Sequence, residues 1–140
     1  ALGVKSGDRV ATLAWNGHRH LELYYAVSGS GAVLHTLNPR LHPDQVVYIA
    51  DHAEDKVLFF APGFAPLLEG LAPHLTTVTA YVAMCPRAQM PQADLPNLLC
   101  VSEAVGTRAP DSAAMSAWRI AHARAGEGVL ELFGKERWPC

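Results

Sequence analysis

No apolar run in this chain approaches the roughly 20 residues that a membrane-spanning helix needs, so a bilayer span is not expected. Positive charge is also short. Eleven Lys and Arg against 13 Asp and Glu give a formal net charge of −2. The basic residues are dispersed among the acidic ones, and a nucleic-acid partner would need a basic stripe. Cysteine is scarce: Cys85, Cys100 and Cys140 form an odd, scattered set. They make neither a disulfide framework nor a Cys-x-x-Cys metal knuckle. A reducing, cytoplasmic setting is the simplest expectation. No Gly-x-Gly-x-x-Gly follows a strand, and no Gly-x-x-x-x-Gly-Lys-Ser/Thr occurs anywhere. No basic segment leading into an apolar stretch opens the chain, so no signal peptide is visible. Ala1 begins in the middle of an apparent pattern without an initiator Met, and a fragment of a longer protein is expected.

What is present is a globular composition. Half of the 140 residues are apolar and 17% are charged, enough to bury a core without covalent staples. Gly7-Asp8 is a turn before the short apolar run Val10–Trp15, which reads as a strand covered on both faces. Asn16-Gly17 breaks it. From His18 the spacing predicts a helix, with Leu21, Tyr24, Tyr25 and Val27 near one face. Gly29 and Gly31 stop that helix, and Val33–Leu37 is a second strand. Pro43 and Asp44 suit the first turn of a second helix, whose apolar positions are Val46, Val47, Ile49, Ala50 and Ala53. Val57–Phe60 reads as a third strand, Phe64–Leu71 as a short helix and Thr77–Met84 as a fourth strand.

The alternation is βαβαβαβ with short loops. That pattern predicts an α/β fold, a parallel sheet with helices on both faces. Residues 1–84 form this α/β subdomain. Residues 85–110, with Pro86, Pro91 and Pro96, read as an irregular loop. Residues 111–140 read as a helical or poorly ordered tail, with Met115, Trp118 and Ala121 or His122 along one side of 111–125.

Three sets of residues could carry chemistry. Gly29-Ser30-Gly31 looks like a phosphate cradle, but it follows a helix and feeds a strand, the wrong polarity for an anion site. It reads better as a helix stop. The histidines His18, His20, His35, His42 and His52 lack metal-pair spacing, since His18 and His20 point in different directions on a helix. They read as structural or surface residues, His35 with its ring paired inside the sheet layers. No Ser-His-Asp or Cys-His arrangement can be argued from sequence, and no catalytic residue or metal ligand is assigned. Asn38-Pro39-Arg40-Leu41 follows the carboxyl end of a strand, where open α/β sheets bind ligands. Arg40 can hold a phosphate through two N–H bonds. A turn capped by Asn38 with a solvated Arg40 fits the same residues.

Read in order, several words resemble one family. They are Gly7-Asp8-Arg9-Val10-Ala11, Asn16, His20-Leu21-Glu22, Tyr24, Gly31-Ala32-Val33, His35-Thr36, Asn38-Pro39-Arg40-Leu41 and His52-Ala53-Glu54-Asp55. Their order and spacing over about residues 1–100 resemble the N-terminal subdomain of the AMP-forming acyl-CoA synthetases, in the medium- and long-chain fatty-acyl branch. The resemblance implies a ligase that makes an acyl-adenylate from a carboxylic acid and ATP, with Mg2+, and then passes the acyl group to coenzyme A (CoA). It implies a fatty acid or similar acid as substrate. Separately, a piece cut from a larger enzyme is expected to expose apolar surface, so a homo-oligomer is the assembly to test.

The family's main catalytic signatures do not fall within this chain. The Ser/Thr/Gly-rich loop ending in Pro-Lys-Gly is missing, as are the later adenine, ribose and magnesium motifs and the mobile C-terminal domain. The chain alone is therefore expected to be inactive. In acetyl-CoA-synthetase-like relatives, the segment just past the second strand touches the nucleotide end of CoA, a place that maps here to Asn38, Pro39 and Arg40. Two departures stand out. Ala61 occupies a position that is usually acidic, and after Cys100 the resemblance stops. A truncated or rearranged reading frame and a divergent linker both fit that ending. The alternative from another class is a stand-alone, non-catalytic α/β module that binds a partner.

Overall fold

Short apolar runs fold as strands here, and the amphipathic stretches between them fold as the connecting helices. The computed structural model describes residues 2–101. The order is β1 (Arg9–Leu13), α1 (His18–Gly29), β2 (Val33–Leu37), α2 (Pro43–Ala53), β3 (Val57–Phe60), α3 (Ala65–Leu71), β4 (Ala80–Ala83) and β5 (Leu98–Cys100). All five strands pair in parallel, in the order β2-β1-β3-β4-β5. The fold is α/β, as the alternation implied. The tail expected over 111–140 lies outside the described residues.

The strand order dictates where the helices go. The chain steps from β1 to β2 in one direction, then crosses back over β1 to reach β3 and continues to β5. Right-handed crossovers put helices of opposite direction on opposite faces. Accordingly, Leu23 and Val27 of α1 pack with Val10, Val57, Phe59, Ala80 and Val82 on one face. Val46 and Ala50 of α2 and Leu68 and Leu71 of α3 pack with Leu13, Leu37, Leu58, Phe60 and Tyr81 on the other.

Local signals set the ends of α2 and α1. His42 caps α2, its Nδ1 accepting from the Asp44 N–H while the Gln45 side chain accepts from the His42 N–H, and Pro43 takes the first helical position. Gly31 has φ 82°, a left-handed turn that a side chain would strain, directly after α1.

Three sequence expectations need correction. First, α1 is rotated from the expected face. His20, Leu23, Ala26 and Val27 are buried, whereas Leu21, Tyr24 and Tyr25 are exposed. The helix has apolar residues on two stripes, and the slimmer stripe is the one that fits against the sheet. His20 joins it because Thr12 of β1 gives its ring a hydrogen-bond partner. Second, Trp15 is not in the first strand, which ends at Leu13. Third, β5 lies inside the segment read as an irregular loop. Its three residues are too few to show periodicity. Asn97 places it, with φ 50° and its Nδ2 donating to the Thr79 carbonyl at 2.9 Å.

Candidate functional site

The strand order turns back at β1: its loop leads to α1 on one face while the loop after β2 leads to α2 on the other, and a crevice opens between their carboxyl ends. The crevice holds roughly 380 Å3 and is lined by residues that follow β1, residues that end and follow β2, and two from α1. Trp15 and Asn16 come from the first group; Thr36, Asn38, Pro39 and Arg40 from the second; His20 and Tyr24 from the third.

The Asn-Pro-Arg-Leu turn is self-built. Asn38 Oδ1 accepts from the Arg40 N–H at 3.0 Å, and the Asn38 carbonyl accepts from the Leu41 N–H at 3.1 Å. Pro39 fixes one backbone angle between them. The turn presents Arg40 outward. Its guanidinium carbon sits 5.7 Å from the centroid of the Trp15 ring. No carboxylate forms an ion pair with it among the described residues. Trp15 is 56% exposed, and its other neighbour is Phe64, with ring centroids 5.6 Å apart.

The inner wall is neutral. His20 is buried, with Nε2 2.8 Å from Thr12 Oγ1, and its Nδ1 has no partner among the described residues. Burial lowers its pKa below the usual 6.5, so the ring carries no charge at neutral pH. Arg40 is therefore the charge that marks this crevice, and it favours an anion.

Asn38, Pro39 and Arg40, singled out from sequence, are thus brought to one wall of the crevice. The other candidates are elsewhere. Gly29-Ser30-Gly31 is a turn that enters the opposite end of β2. His42 is a helix cap, and His52 stacks on Tyr48 with ring centroids 5.7 Å apart. No group of three His, Cys, Asp or Glu residues converges for a metal among the described residues. Trp15 and His20 were missed as crevice residues. The available signal for Trp15 was its place directly before the Asn16-Gly17 break.

Toward the amino ends of the strands lies a second polar pair, a half-buried histidine and a buried aspartate. His35 Nδ1 is 2.7 Å from Asp55 Oδ2, the ring pairing expected for this mid-strand histidine. Asp55 is fully buried, and its Oδ1 has no partner among the described residues. Burial raises its pKa above the ordinary 3.8, against the lowering pull of His35 and Arg9. The folded chain therefore holds the Asp55 proton more tightly than the unfolded chain does. Its contribution to stability is present below pH 3.8 and is lost as the pH rises through the folded-state value. Asp55→Asn keeps an acceptor for His35 without the charge. Urea midpoints measured between about pH 3 and 7 should show the variant gaining on the parent as the pH rises. A difference that stays constant with pH would mean that Asp55 ionises as easily in the folded state as in the unfolded one.

The family model described as AMP-binding enzyme matches residues 1–116. The chain belongs to the AMP-binding enzyme family. It is 56% identical over 105 residues to the 3-methylmercaptopropionyl-CoA ligase of Ruegeria pomeroyi, covering 75% of this chain and 20% of that protein. It is 58% identical over 88 residues to the long-chain-fatty-acid–CoA ligase of Thermus thermophilus, covering 63% of this chain and 16% of that one. A solved fatty acyl CoA synthetase of Mycobacterium tuberculosis matches it with a TM-score of 0.55 at 32% identity, over 59% of this chain and 17% of that one. The chain thus spans about a fifth of the length of the curated relatives it matches.

The AMP-binding family implies ATP, Mg2+ and CoA. The described residues do not fit an ATP–magnesium site: they carry no phosphate loop and no convergent carboxylates. What they do offer at the strand-end crevice is the exposed guanidinium of Arg40, which suits an anion. No helix among them is long and apolar enough to cross a membrane.

Proposed function

We propose that this chain is the N-terminal α/β part of an ATP-dependent acyl-CoA synthetase acting on a medium- or long-chain fatty acid or a similar carboxylic acid. The overall reaction is acid, ATP and CoA to acyl-CoA, AMP and pyrophosphate. One observation carries the reading: the two curated relatives, from different genera, are both acyl-CoA ligases. ATP and Mg2+ would be held by parts of the enzyme that this chain does not supply.

The chain's own role is support and positioning. The parallel sheet fixes the carboxyl ends of β1 and β2, and the Asn38 turn holds the backbone of Arg40. Arg40 takes a phosphate of the nucleotide end of CoA, as the planar guanidinium suits. No proton moves and no bond changes at these residues. The exposed Leu21, Tyr24 and Tyr25 on α1 support burial of that face against further protein, including a second copy in a homo-oligomer. They equally suit a non-catalytic, partner-binding module. We take the cytoplasm as the site of action, where buried Cys85 and Cys100 stay reduced.

A chimera tests the reading. The matched segment of the Ruegeria pomeroyi ligase is replaced by the corresponding residues of this chain. The chimera is expected to form CoA thioester from ATP, CoA and an acid at no less than about a tenth of the parent rate, the loss set by imperfect repacking at the junction. A chimera that melts cooperatively yet forms no thioester would refute the synthetase reading and favour the binding module.

A further inference from the structure

We propose that Trp15 is a stacking platform for a purine base, and that Arg40 rests on that platform only while the crevice is empty. The proposal rests on reading Arg40 as a contact to the nucleotide end of CoA. It adds a second residue, a base-recognition role and a rearrangement.

The argument starts from what Trp15 is doing at its position. It lies two residues beyond the end of β1, the strand at which the strand order turns back, and more than half of its surface is exposed. A surface tryptophan needs no explanation when it stands alone. This one is braced and covered. Phe64, which packs onto the core under α2 and α3, lies against the indole at an interplanar angle of 49°. That contact limits how the indole can turn. Arg40 lies over the ring at 5.7 Å.

The Arg40–Trp15 contact is a placeholder by its chemistry. Indole offers a guanidinium one diffuse face, whereas a phosphate offers it two aligned acceptors. A purine covers an indole face more fully than a guanidinium does, and it stacks without depending on charge. A ligand with a base and a phosphate therefore satisfies both residues better than they satisfy each other. When it enters, the base takes the indole and Arg40 moves to the phosphate. Asn16 also lines the crevice, and its amide can both donate to and accept from a base edge. His20, kept uncharged by burial, and Tyr24 also line the crevice and add no second cation to it. The chemical class is an adenine nucleotide, and the source we assign is the adenosine 3′,5′-bisphosphate portion of CoA.

The test uses the full 140-residue chain. With Trp118→Phe and Trp138→Phe, Trp15 is the sole indole and reports on its own face. Adenosine 3′,5′-bisphosphate should quench its emission saturably, and pantetheine should not. By calorimetry, Trp15→Leu should weaken adenosine 3′,5′-bisphosphate by roughly tenfold, the ordinary loss for one stacked base, and Trp15→Phe should stay within about threefold of the parent. Arg40→Ala should weaken binding yet keep the quench at saturation. If Arg40→Ala weakens binding and Trp15→Leu does not, the platform is wrong while the CoA reading stands. If neither variant weakens binding, or none is measured, both fail. Equal affinity for adenosine 5′-monophosphate would uphold the platform and overturn the assignment to CoA.

Discussion

Pure protein of these 140 residues is expected to make neither acyl-adenylate nor acyl-CoA, beside a full-length acyl-CoA ligase that makes both. Transfer at a phosphorus centre asks the protein mainly for positioning and for charge stabilisation around the phosphates. Those tasks need backbone N–H groups, cations and a metal set around ATP. The described residues offer one crevice cation, Arg40, and no phosphate loop. Positioning alone accounts for effective concentrations on the order of 10^5 M or more, so its loss leaves nothing detectable above the uncatalysed rate. Exchange of labelled pyrophosphate into ATP, tried with acids of several chain lengths, is the sensitive assay. Acid-dependent exchange by the pure chain would overturn the expectation.

The fold was legible where the sequence punctuates itself. Gly7-Asp8, Asn16-Gly17, Gly29 to Gly31 and Pro62-Gly63 separate the first three strands and their helices, and the structure breaks at each. Two things were not legible. The inward face of α1 was hidden because Leu21, Tyr24 and Tyr25 form as apolar a stripe as His20, Leu23 and Val27. Periodicity ranks hydrophobicity, and it has no means of knowing that Thr12 would satisfy a buried histidine. β5 was hidden because three residues carry no period, and its position follows from pairing with Tyr81, Val82 and Ala83.

The candidate site divides in the same way. Arg40 was legible because a Pro-containing turn after a strand is a local signal. Trp15 was harder to read: the Asn16-Gly17 break lies beside it, but the unbroken apolar run from Val10 to Trp15 hides that the strand ends at Leu13. Its approach to Arg40 joins the ends of β1 and β2, a contact that exists only once those strands are paired.

The second large effect concerns Arg40, whose role is the centre of the functional reading. An acyl-CoA synthetase works in two halves, and CoA enters the second. A residue that holds the nucleotide end of CoA should leave the first half untouched. The measurement belongs in a full-length relative that carries the same Asn-Pro-Arg-Leu word. Arg→Ala at that place removes a charge-assisted contact worth about 1.5–3 kcal/mol, which is roughly a ten- to hundredfold change. Pyrophosphate exchange and the Michaelis constant for CoA are measured on the same preparation. The account predicts unchanged exchange with the acid and a rise of about tenfold or more in the Michaelis constant for CoA. An unchanged constant for CoA, or a loss confined to the fatty acid, would contradict it and leave Arg40 as a solvated surface charge.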